Sequence, residues 1–380
     1  MKKDCQRCGR GGLGVEQCQS RRGETEEYHG YRPGQLCRRC HIDILPDPEV
    51  LYPQLLDEEF NFFYAAASGT SRKVLKTIEE SHVLVSYLTR NNGRLGTEDT
   101  HFVDCGGNPE TFITQAGASP SYPDSHGEYV EYVASQTTTK DRWALRDFPV
   151  TESVKSHFDM TVEELQRRTT DAHRALLDIA QDRGVNATPV TALQGDTIRD
   201  YLTHIDQLEA AGALTDTVAI GSIAFKSPDF KQEIILALRE ALSPSLDLHG
   251  FGVSLKTLRK DGVVEALSSA DSGGWLSQRT NTEHPAWDTD RAQALRPSLY
   301  EYLEYTKELG EIISTRQPQV AQTRSLDQYQ PGSRTIEPQT NQLPSDTQRV
   351  VTAYKQGKID DMQRTAQAQA RSEQSNISAF

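Results

Sequence analysis

The sequence contains no run of about 18 consecutive apolar residues, the least that a helix needs to cross a bilayer, so no membrane-spanning helix is expected. Nor does an apolar stretch follow the opening Met-Lys-Lys-Asp-Cys, which argues against a secretory leader and leads to the expectation of a cytoplasmic protein. Cysteine is absent after Cys105, which excludes a thiolate-built metal site from the rest of the chain. Basic residues are in deficit: 41 Lys and Arg face 54 Asp and Glu, for a formal charge of -13. Apolar residues make up 36% of the 380 positions, so part of the length is expected to lie outside any core. Abundant Asp, Glu, Thr and Gln with little Lys suggest a prokaryotic host with a salty cytoplasm, a halophilic archaeon or its virus.

What remains falls into three zones. Residues 1–46 hold five of the six cysteines, many Arg and Gly, and almost no apolar periodicity. Residues 48–314 alternate short apolar runs with helical patterns. Residues 316–380 are rich in Gln, Thr, Ser and Arg, and read as a largely disordered polar tail with room for one short helix near Thr347 to Arg371.

The middle zone repeats one pattern: an apolar strand, a polar or glycine residue, then a helix. Strands are expected at His82–Tyr87, His101–Val103, Arg142–Arg146, Pro189–Leu193, Thr217–Ile220, Leu246–Leu248 and Glu265–Ser268. An eighth cannot be located from the pattern. Thr161 with Glu164 forms a capping box for a helix to Arg183, and further helices are expected over 197–211, 229–242 and 291–313. Strands separated by helices imply parallel βαβ units. An α/β fold, a (β/α)8 TIM barrel of the usual length of about 250 residues, fits best, with a doubly wound sheet as the alternative.

In such a barrel the carboxyl ends of the strands form the catalytic rim. Asp104, Asp147, Gln194, Gly221 and Asp271 all fall at predicted strand ends. Two carboxylates beside one sugar can divide the labour of glycosyl transfer, one attacking the anomeric carbon and the other moving protons. Asp271 lies among small residues in Ser268-Ser-Ala-Asp-Ser-Gly-Gly-Trp275, which lets a bulky sugar approach. Asp104 is followed by Cys105-Gly-Gly107, whose glycines free backbone N–H groups for a ligand. Taken alone, each Asp could equally be a helix cap, and Asp147 a turn residue before Pro149.

Four segments in order carry a resemblance. Asp104-Cys-Gly-Gly107 resembles the Asp-Ser-Gly-Gly element of tRNA-guanine transglycosylases, Leu193-Gln-Gly195 their Gln-Gly element, and Ala219-Ile-Gly-Ser222 their Ile-Gly-Gly element. Ser269-Ala-Asp-Ser272 occupies the place of their Phe-Asp nucleophile segment. The resemblance spans about residues 82–279. Arg146-Asp-Phe-Pro149, Gln194-Gly-Asp196 followed by Tyr201, His249-Gly-Phe-Gly252 and Ser-Ala-Asp-Ser-x-x-Trp275 are most similar to the DNA-modifying branch, often called DpdA.

That resemblance implies an enzyme that exchanges guanine in DNA for a free 7-deazaguanine base, such as 7-cyano-7-deazaguanine, without an organic cofactor. It implies Asp271 as nucleophile on C1′ and Asp104 as general acid/base that also holds the base edge. Asp147 and Gln194 would hydrogen-bond the base, with Gly195 and the Gly221 backbone completing the pocket. Guanine's N1–H and 2-amino group suit a carboxylate, and its O6 suits an amide N–H. Helper proteins of a DNA-modification system would be further partners. The alternatives are the same exchange on tRNA, a non-catalytic nucleic-acid-binding paralogue, or a barrel acting on small glycosides. The tRNA enzymes' late Cys/His zinc site has no counterpart here, which tilts the reading toward DNA. Cys105 stands where those enzymes have Ser and is expected to be a small packing residue.

Cys5-x-x-Cys8 and Cys37-x-x-Cys40 make a paired knuckle pattern, read as a structural Zn2+ site of four thiolates, with Cys18, His29 and His41 as spare candidates. Arg7, Arg10, Arg21, Arg22, Arg38 and Arg39 surround it, a module suited to phosphate contacts in an otherwise acidic chain.

Overall fold

The computed structural model describes residues 60–66, 68–77, 80–92, 100–117, 119–276, 295–314 and 343–360. The cysteine-rich head and most of the polar tail, with the zinc and disorder expectations attached to them, lie outside the described residues. No described helix is long and apolar enough to cross a membrane.

Eight strands run β1 Asn61–Ala65, β2 His82–Ser86, β3 Thr100–Asp104, β4 Arg142–Ala144, β5 Thr188–Leu193, β6 Thr217–Ile220, β7 Asp247–Gly250 and β8 Ser269–Ser272. They form a closed barrel in chain order. The pairings β1–β2, β2–β3, β4–β5, β5–β6, β6–β7 and β7–β8 are all parallel. Helices alternate with the strands, so the expected (β/α)8 barrel is the fold, and the doubly wound sheet is ruled out. The central residues of β1, β2 and β3 are buried in runs of three, as parallel strands covered on both faces require.

Two expectations are corrected. The strand expected at Glu265–Ser268 is instead one turn of helix, Val263–Ala266, opened by Gly262 at φ 76°. The last strand is the polar stretch Ser269–Ser272, every residue of which is buried, so Asp271 sits within a strand rather than after one. Periodicity cannot separate a four-residue apolar run in a helix from one in a strand, and Ser-Ala-Asp-Ser has little strand propensity of its own. The unlocated strand is β1, Asn-Phe-Phe-Tyr-Ala.

By contact density the chain divides into two compact units, 1–104 with 271–319, and 105–270 with 320–380. The first unit is built on aromatic rings. Phe63 meets Phe102 edge-on at 5.4 Å, and Tyr64 lies 4.9 Å from Tyr302 of the helix Leu295–Ser314. The Tyr64 hydroxyl shares a 2.8 Å hydrogen bond with Thr306, and Tyr302 donates to Glu80, so the helix is bound to β1 by polar as well as apolar contacts.

In the second unit the helix Val162–Asp182 begins with the expected Thr161–Glu164 capping box. It buries positions 165, 166, 169, 172, 173 and 176, the spacing of a single core-facing stripe. Thr197 with Asp200 and Ser125 with Glu128 cap two further helices in the same way. Within the polar tail, residues 345–360 form a helix. Tyr354 donates to Asp206 at 3.0 Å, Gln348 to Glu240 at 3.1 Å, and Lys358 pairs with Asp206 and Glu209.

Candidate active site

In the first unit, Asp104 is the last residue of β3 and Asp271 the third of β8. Asp271 is buried among Ser269, Ala270 and Ser272. The Ser272 hydroxyl accepts from the Gly274 N–H at 3.0 Å. Burial pushes the Tyr305 phenol well up from its ordinary range, Ser272 opposes that shift, and the negative charge of Asp271 adds to it, which identifies this ring as a neighbour of both side chains. Trp275 is buried edge-on against Tyr64 and Tyr302, 6.3 and 6.0 Å between centroids, and so fills core.

The second unit holds a tightly connected polar cluster. Asp147, three residues beyond β4, is only 8% exposed. Gln194, immediately after β5, donates its side-chain amide to Oδ2 of Asp147, and the Cys105 thiol donates to Oδ1 at 3.2 Å. Oε1 of Gln194 accepts from the Val150 N–H at 3.2 Å and from the Ser222 hydroxyl. Because the Val150 N–H can meet only an acceptor, the orientation of the amide is determined, and its nitrogen faces Asp147. Tyr122 donates to the Asp147 carbonyl at 2.7 Å.

The surroundings hold Gln194 from behind. Gln166 Nε2 donates to its carbonyl at 2.7 Å, and its N–H donates to Nδ1 of His204 at 2.9 Å. With Nδ1 accepting, the neutral ring carries its proton on Nε2, which donates to Thr170. Burial pushes His204 down to about 3, so it stays neutral. Burial likewise pushes the Asp147 carboxyl up to about 6, against the lowering effect of its hydrogen bonds from Cys105 and Tyr122.

Three glycines are required by this packing. A Cβ on Gly221 would collide with the Gln194 amide, and one on Gly107 with the Asp147 carboxylate. Gly195 lies under the Tyr201 ring, where a Cβ would come within 2.9 Å, and Tyr201 donates to the Gly221 carbonyl at 2.7 Å. Thus Asp147, Gln194, Gly195 and Gly221 belong to one cluster, and Asp104 and Asp271 to the rim ends of the first unit. His249 is a satisfied core residue, 2.9 Å from Ser269.

Sequence reasoning missed the clasp's other members. Cys105 is a donor to the buried carboxylate and not merely packing. Gln166 lies on a buried stripe that also holds the polar Thr169, Thr170 and His173, so the sequence pattern does not single it out. Ser222, at φ 58°, is one of two non-glycine residues with positive φ among those described. No group of three His, Cys, Asp or Glu suited to a metal occurs among the described residues.

The fold defines a (β/α)8-barrel protein that carries these acids and amides at or near the carboxyl ends of its strands. The model of the family described as DpdA, DeoxyPurine in DNA protein A, matches residues 98–323, and the chain belongs to that family, within the tRNA-guanine transglycosylase superfamily. The family's chemistry is the exchange of guanine in DNA for a 7-deazaguanine. Among curated proteins none matches the chain.

Proposed function

We propose that this protein replaces guanine in DNA by a 7-deazaguanine through a covalent intermediate on Asp271. The Asp271 carboxylate attacks C1′ of the target deoxyribose as the bond from C1′ to the purine breaks. The electron pair leaves with guanine, which takes a proton from Asp104. The incoming base then gives its proton to Asp104 and attacks C1′, releasing Asp271 as carboxylate. Two inversions retain the β configuration, and no ATP is consumed.

The observation that carries this reading is the Asp147–Gln194 pair. It is a buried acceptor beside a buried donor of determined orientation, matched to guanine's N1–H and 2-amino donors and its O6 acceptor. In this account Asp104 also holds the base edge. Gly195 and Gly221 keep the backbone close enough for a flat purine. A 7-substituent as small as a cyano group is the expected cargo of the incoming free base, and helper proteins would supply the target site. The Cys5, Cys8, Cys37 and Cys40 thiolates would hold one structural zinc whose surrounding arginines contact phosphate.

The test is exchange of labelled guanine into DNA and into tRNA by the purified chain. Incorporation into DNA with loss in Asp271→Asn supports the reading. Incorporation into tRNA alone defeats the DNA assignment, and no incorporation into either favours a binding role.

A further inference from the structure

We propose that Phe225 is a fixed wedge that enters the base stack of duplex DNA and holds open the step from which the target nucleotide leaves. The proposal rests on the exchange reading above. Phe225 stands in the loop between β6 and the helix Pro228–Ala241 and is 72% exposed. Single exposed apolar side chains are ordinary on protein surfaces. What distinguishes Phe225 is the backbone that carries it.

That backbone is pinned on both sides. Lys231, 3% exposed, donates from Nζ to the Ala224 carbonyl at 2.8 Å and to the Gly252 carbonyl at 3.0 Å, joining the loops that follow β6 and β7. Gly252, at φ 61°, packs so closely on this loop that a Cβ there would come within 2.9 Å of Ala224 Cβ. The Lys226 N–H closes a turn onto the Ile223 carbonyl at 2.9 Å, and its ammonium meets Asp196 at 2.7 Å. Ile223 is fully buried, and Ser222 is tied to Gln194. The chain on either side of Phe225 is therefore anchored while its ring faces water.

A ring on such a loop loses little further freedom when it inserts, so the stacking gain is kept as binding. Proteins that kink DNA insert apolar wedges of this kind, and enzymes that work on a base must first extrude it. Phe225 is three residues from Ser222, which clasps the amide assigned to the base. A wedge here would act on the same nucleotide that the Asp147–Gln194 pair receives.

The experiment compares guanine exchange by wild type and Phe225→Ala on a duplex and on the same target strand alone, with Phe225→Leu as the conservative variant. Circular dichroism serves as the control for folding, which an exposed side chain should not disturb. The expected result is a loss of about tenfold on duplex with less than about twofold on the single strand, and substantial recovery in Phe225→Leu. An equal loss on both substrates, or no loss on either, overturns the wedge, the latter leaving Phe225 to a protein contact. Wild type exchanging on neither substrate sinks the exchange reading itself, and the wedge with it.

Discussion

The thiol of Cys105 donates a hydrogen bond to Oδ1 of Asp147 at 3.2 Å, so the residue that follows one proposed catalytic acid supports the proposed base-binding one. Removing that donor leaves a buried carboxylate less satisfied, a change worth roughly 1–3 kcal/mol. Cys105→Ala is expected to lower the thermal midpoint and raise the apparent pKa of Asp147 above about 6. Cys105→Ser, which keeps a donor, is expected to restore most of both. Equal behaviour of the two variants in a pH titration of base binding would assign Cys105 to packing alone.

The raised carboxyl of Asp147 makes stability and base binding respond to pH in opposite directions. Its folded value of about 6 lies above the ordinary 3.8, so the folded state holds the proton more tightly. The stabilising contribution is complete below the unfolded value and is lost as pH rises through about 6, leaving the fold less stable by about 3 kcal/mol. Asp147→Asn is expected to flatten that loss in urea melts at pH 4.5 and 7. Base binding needs the carboxylate, so the wild-type affinity for free guanine should fall about tenfold per pH unit below 6. Affinity unchanged between pH 5 and 7 would remove Asp147 from the base contacts.

Gly221 leaves no space for a side chain. Gly221→Ala drives a methyl group into the Gln194 amide, and overpacking of this sort costs about 1–3 kcal/mol. The expected kinetic result is a raised KM for the incoming base, because the amide is displaced from Asp147. A variant with a lower thermal midpoint but an unchanged KM would separate packing from recognition.

The barrel was legible in the sequence because seven apolar runs alternate with helices, and six of them overlap observed strands. β6 matches at both ends. β1 escaped because Phe62-Phe63-Tyr64 runs on into Ala65-Ala66-Ala67 in the sequence, an apolar stretch that a buried helix could carry as well as a strand. β8 escaped because barrel closure, not propensity, makes a strand of Ser-Ala-Asp-Ser. The proposed site residues come from motif order and resemblance, and the structure adds their surroundings. The clasp was not legible, since Cys105, Gln166 and Ser222 become partners of Asp147 and Gln194 through contacts between residues far apart in the chain.

The paired cysteine motifs predict about one zinc per chain by elemental analysis of folded protein, with Cys5→Ser or Cys37→Ser reducing it. DNA binding should weaken when zinc is chelated, measured by fluorescence anisotropy at constant salt. Zinc near zero in a folded, active sample would contradict the metal site and leave the exchange chemistry intact.

The most direct measurement is to trap the glycosyl intermediate. Protein incubated with guanine-containing DNA and no incoming base is quenched in denaturant, digested and read by mass spectrometry. The expected product is a DNA-linked peptide carrying Asp271, lost when a 7-deazaguanine base is added before the quench and absent in Asp271→Asn. A linkage mapped to any other residue, or an Asp271→Asn protein that exchanges at the wild-type rate, would contradict the proposed chemistry.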